Sequence, residues 1–193
     1  MLWGCAVAVL MLNEAAVPSN VLARAQMEAS RIYRGVGVNL VWIHEAGDHY
    51  EYQPAAPKPS AKAGFTMKIV GVALSPKEVD AAALGVAPAA ASARGNIAYA
   101  FYGRIADFAA THRVEIGPIL GSVIAHELGH LLLRQGSHSR TGLMSSNWDV
   151  HRAQQAAMGL LTFSGTELSN SSCRDDRNAP ALAHALPNPN PQP

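Results

Sequence analysis

An α+β domain, built as a twisted mixed β-sheet packed against an N-terminal helix and a buried helix, is what this sequence predicts from three observations. Its opening alternates strand, helix and strand; short β-branched and aromatic runs recur further along; and one later segment, Ile116 to Leu132, is apolar around most of a helical circumference. The chain has 193 residues, 49% hydrophobic and 15% charged, enough to bury a sizeable single core.

The elements follow in order. Leu2 to Leu12 is apolar but lacks a basic leading region and a small-residue cleavage pattern, so it reads as a buried strand over Cys5 to Leu12 and not as a signal peptide. After Pro18-Ser19, the residues Val21, Leu22, Ala25, Ala29 and Ile32 keep helical spacing and predict a helix from Asn20 to Arg34, broken by Gly35 to Gly37. Val38 to Ile43 is β-branched and aromatic, as expected of a strand. His44 to Ser60 is polar and Pro-rich, which predicts a surface loop. Its His44, Glu45, Asp48, His49 and Glu51 have no shared periodicity that would place them around a second metal. Phe65 to Leu74 reads as a strand, Ser75-Pro76 as the start of a short helix, and the Ala-rich stretch 81–93 as a mobile connection. Gly95 to Arg104 is an aromatic-rich strand ending in glycine; Tyr99 and Tyr102 on it fit ordinary strand packing, and their hydroxyls could stabilise an oxyanion, with nothing in the spacing to select either.

The buried segment carries the chemistry. It contains His126-Glu127-Leu128-Gly129-His130. Residues four apart on a helix lie on one face, about 6 Å apart along the axis, so His126 and His130 can reach one ion together. Glu127, beside them, is placed to take a proton from water at that ion without ligating it. An ionised carboxylate in apolar surroundings is strongly unfavourable without a partner, and a divalent cation satisfies all three groups at once. A catalytic zinc needs a third protein ligand and an open fourth position. His138, beyond Gly136, is the expected third ligand, with Asp149, His151 and Glu167 as alternatives.

Together with Met144, which follows Gly142-Leu143, these residues resemble the metzincin clan of zincin metallopeptidases, where HExxHxxGxxH precedes a Met-containing turn beneath the metal. The resemblance implies a zincin-like fold over 1–168, one catalytic Zn²⁺ on His126, His130 and His138, Glu127 as general base, and hydrolysis of peptide bonds in a peptide or protein substrate. It departs from the clan at two positions: Leu133 stands where the clan has glycine, and His138 comes two residues later than the clan's third histidine. The helix is therefore expected to run on to Arg134 or Gln135, with His138 returning from a longer loop. The alternative is a catalytically inactive zincin-fold domain that binds metal or protein.

The clan's strand before the active-site helix pairs with extended substrate, which makes Gly95 to Arg104 the expected substrate edge. Ser146 with Asp149 suggests a capping box opening a second long helix to Phe163. Residues 169–193 are rich in Ser, Asn and Pro and read as a disordered tail. A net charge of +1 gives no reason to expect nucleic acid, no apolar run is long enough to span a bilayer, and a monomer is expected. Cys5 and Cys173 define no disulfide framework and no zinc knuckle. By resemblance the setting is exported or extracellular and bacterial, with any export signal upstream of Met1; a cytoplasmic setting stays open.

Overall fold

In a computed structural model of the protein, residues 5–44, 64–71, 79–88, 96–132 and 138–164 are described. They form an α+β arrangement of five strands and four helices. In chain order these are β1 Cys5–Asn13, α1 Ser19–Arg34, β2 Val38–His44, β3 Phe65–Val70, β4 Gly85–Val86, β5 Ile97–Phe101, α2 Tyr102–His112, α3 Ile116–Leu132 and α4 Val150–Ala157.

The sheet order is β2-β1-β3-β5-β4. Four strands run parallel, and β4 pairs antiparallel with β5 at one edge. Alternation along β1 puts Val7, Val9 and Met11 in the core, while Ala8, Leu10 and Leu12 on the opposite pleat are half-buried. The register carries the core row across the sheet, Met11 beside Met67 and Met67 beside Ala98. α1 and α3 pack on one another, α3 also against β3, β4 and β5.

The close approach of α1 to α3 depends on glycines one turn apart. A Cβ at Gly117 would lie 2.8 Å from Arg24 Cβ, and one at Gly121 would meet the Ala25 carbonyl and, at 2.7 Å, Glu28 Cβ. With α1 seated there, α3 is covered on nearly every side; Ile119, Leu120, Ile124 and Leu128 are fully buried. This agrees with the all-round apolar pattern of the segment.

Four expectations need correcting. The strand at Gly95 to Arg104 stops at Phe101, and the chain turns directly into α2, whose Ile105 and Ala109 face the core. β5 lies between β3 and β4, so the substrate edge expected there is not an edge at all. The edge strand on that side is β4, inside the Ala-rich stretch read as a mobile connection, and Phe101 N donates to Leu84 O at 2.9 Å to fix it. The helix expected from Ser146 to Phe163 is only α4, capped by Asp149, which accepts from Arg152 N at 3.0 Å; among the described residues no second long helix follows the turn at Met144. Short helices need such caps because their first amides have no partner within the helix. Around α4, Val150, Met158 and Leu160 are exposed, whereas Leu161 is buried.

The loop after His44, the helix start at Ser75, the continuation of α3 past Leu132 and the tail lie outside the described residues, as do Glu167 and Cys173. Among the described residues no helix is long and apolar enough to cross a membrane.

Candidate metal centre

Three imidazoles meet at the C-terminal half of α3. His126 and His130 come from consecutive turns, and His138 comes from the segment that follows; one donor atom from each lies within 4.8 Å of the others. His126 is buried, His130 half-buried and His138 exposed, so the cluster opens to solvent on the His138 side.

The position of each ring has a local cause. His126 Nδ1 donates to the Leu143 carbonyl at 2.7 Å, which fixes the tautomer and leaves the Nε2 lone pair facing His130. The two Nε2 atoms are 3.1 Å apart. Burial, opposed by the Leu143 bond, pushes the His126 pKa down to about 3, and His130, His138 and Arg152 add charge repulsion. His126 is therefore a neutral donor throughout the physiological range. His138 is held through its neighbour, since Ser139 N donates to Met144 O at 3.0 Å and Ser139 bridges Ser145.

Both ties run to one turn, Gly142 to Ser145. Gly142 takes φ +80°, a conformation that glycine adopts without steric cost. Leu143 N donates to Thr162 O at 2.8 Å, and Arg152 Nη1 donates to Gly142 O. Met144 is buried beneath α3, its sulfur occupying the space a Cβ at Gly129 would need, with Phe163 beside it. Gly129 is thus required by the same residue that underlies the cluster.

Glu127 faces the edge strand. It is 5% exposed, and the Ala87 N–H donates to its carboxylate. A Cβ at Gly85 would lie 2.7 Å from Glu127 Oε1, so only glycine lets the carboxylate come this close to β4. Burial pushes the Glu127 pKa up to about 8, against the lowering influence of the Ala87 bond. Tyr33 lies close enough for the Glu127 charge to raise its own pKa further, beyond the effect of burial; its hydroxyl donates to Ala125 O at 3.0 Å. Trp148 forms an aromatic wall, 6.3 Å from the His126 ring and 6.1 Å from Phe108.

The structure thus brings His126, His130 and His138 together, with Glu127 next to His126 in sequence and its carboxylate against β4. Of the alternative ligands among the described residues, neither joins them: Asp149 is occupied in capping α4, and His151 is exposed on that helix. His44 ends β2 with its Nε2 3.1 Å from Gln26 Nε2. Tyr99, on the pleat opposite the buried Ala98 and Ala100, and Tyr102, first residue of α2, are half-buried. The Ala87 amide, the Leu143 carbonyl and Arg152 were not anticipated. Backbone groups leave no residue signature, whereas Gly85 and Gly142 were visible as glycines whose purpose lay elsewhere in the fold.

Neither the protein-family models nor the curated proteins compared with this chain gave a match.

Proposed function

We propose that this chain is a zinc-dependent peptidase of the zincin kind, metzincin-like, in which His126, His130 and His138 hold one Zn²⁺ and Glu127 is the general base. The observation that carries the reading is the convergence of three imidazole donors, within 4.8 Å, next to a buried carboxylate fixed by a backbone amide. Three imidazoles and no thiolate suit a catalytic zinc with one position left for water or substrate. Zn–N bonds of about 2.0–2.1 Å at a tetrahedral angle put two donors roughly 3.3–3.4 Å apart. The 3.1 Å between His126 and His130 is close to that spacing, and the exposed His138 arm is the one with room to adjust.

When bound, zinc would supply Lewis acidity toward a peptide carbonyl, acidify water and favour ionised Glu127 through its charge. Glu127 then takes the proton of the attacking water and passes it to the leaving amine. The Ala87 amide beside its carboxylate favours the charged form that accepts the proton. β4, the antiparallel rim beside Glu127, offers the edge along which an extended peptide can add as a further strand.

The test is metal content and proteolysis measured together. One zinc per chain is expected in wild type and in Glu127→Gln, with cleavage of a denatured protein at least about 100-fold slower in the variant. His138→Ala should lose zinc. Equal cleavage by wild type and Glu127→Gln would remove the general base from the mechanism. Zinc bound without any cleavage by wild type would favour a metal- or protein-binding domain.

A further inference from the structure

The hydrogen bond that Arg152 makes from α4 goes to backbone, and the backbone it holds sets two of the three histidines. Its Nη1 donates to Gly142 O, while the N–H of the same peptide unit, at Leu143, donates to Thr162 O at 2.8 Å. That unit is gripped at both ends. The other donor to Gly142 O is Ser145 N, at a long 3.5 Å. Arg152 is itself anchored, because its own amide donates to the Asp149 cap at 3.0 Å.

From the turn so fixed, two arms reach the cluster. The Leu143 carbonyl accepts from His126 Nδ1, and the Met144 carbonyl accepts from Ser139 N, next to His138. We infer that Arg152 is a positioning residue for metal binding: through the Gly142–Ser145 turn, its guanidinium selects the His126 tautomer and tethers the His138 segment. This rests on the metal-centre reading above. A cationic donor suits the task, since charge-assisted bonds to a carbonyl are about twice as strong as neutral ones. Without it the turn keeps its amide link to Thr162 but only the long Ser145 N contact at its carbonyl, so both arms lose their strongest tie to α4.

The experiment uses metal-free wild type, Arg152→Met, which keeps an unbranched apolar stem without a donor, and Arg152→Lys, which keeps a cationic donor. Zn²⁺ affinity is read by competition with a chromophoric chelator, and the His126 tautomer by long-range ¹H–¹⁵N correlation of the imidazoles. Zinc should bind about 10- to 100-fold more weakly to Arg152→Met, in the range of lost outer-shell partners, with Arg152→Lys recovering most of the affinity. His126 should hold its proton on Nδ1 in wild type and Arg152→Lys and exchange between tautomers in Arg152→Met. Equal zinc affinity in wild type and Arg152→Met overturns this proposal alone, as does an unchanged tautomer in Arg152→Met. Equal losses in both variants, with lowered melting of the metal-free protein, would make Arg152 a general support of the fold and also overturn it. Zinc refused by wild type overturns the metal-centre reading and this proposal with it.

Discussion

Glu127 and His126 are adjacent, both buried, and displaced in opposite directions for the same reason, since burial disfavours the charged form of each. In the metal-free protein Glu127 keeps, from about 4.5 to about 8, a proton that the unfolded chain has released, so stability falls as pH rises through that window. His126, lowered from 6.5 to about 3, refuses a proton that the unfolded chain binds, so its contribution is lost as pH falls below 6.5. Above 6.5 only the carboxylate of this pair still acts. Metal-free wild type should therefore lose roughly 2 kcal/mol relative to Glu127→Gln between pH 6.5 and 8, read by urea denaturation at each pH. A constant difference between the two proteins would show that the carboxylate is already ionised at neutral pH. What the sequence revealed at this scale is what helix geometry fixes: the spacing of His126 and His130 allowed no other relative placement. His138 was reached through the need for a third donor. The Ala87 amide and Leu143 carbonyl, which orient Glu127 and His126, belong to the main chain and could not be read from side chains.

At the scale of elements, the seam between α1 and α3 decides where the metal-binding face sits. Gly121→Val would drive a branched side chain into the Ala25 carbonyl and Glu28, groups that cannot yield without moving α1. Overpacking of this kind costs about 2 kcal/mol, or roughly 4–8 °C in melting temperature for a chain of this size. An unchanged melt would mean the two helices part there freely. The elements best read from sequence were those with a long, clean period: α1 came within one residue, and α3 begins at Ile116 as its apolar pattern does. α2 was hidden because the aromatic run Ile97 to Tyr102 carries a strand preference past the point where the backbone turns, and Gly103 looks like a stop although it lies inside the helix. β4 has two residues and owes its existence to β5, with no local pattern of its own. At α4 two cap-competent residues lie close together, and the fold uses Asp149 in place of Ser146.

For the whole molecule, metal and stability are linked. Donors from α3 and from the segment after it meet only in the folded chain, so zinc at a free concentration 100 times its dissociation constant should add about 2.7 kcal/mol. Calorimetry with and without a chelator reads this as a drop of roughly 5–10 °C on stripping the metal. Coincident melts would indicate that the histidines bind nothing of consequence. The α+β class with a mixed sheet was legible because alternating apolar periods and a buried helix leave few ways to layer the chain. Strand order was not, since it is set by pairings between residues far apart in sequence.

That strand order also bears on how the protein is made. β1 ends at Asn13, yet it pairs on one side with β2 and on the other with β3, which ends only at Val70. At about 5–20 residues per second, a ribosome needs roughly 3–12 s to supply the second neighbour. Throughout that interval Val9 and Met11, both sealed in the finished protein, stay open to other nascent chains. The central place of β1 thus means that its core face is closed on both sides only late in synthesis.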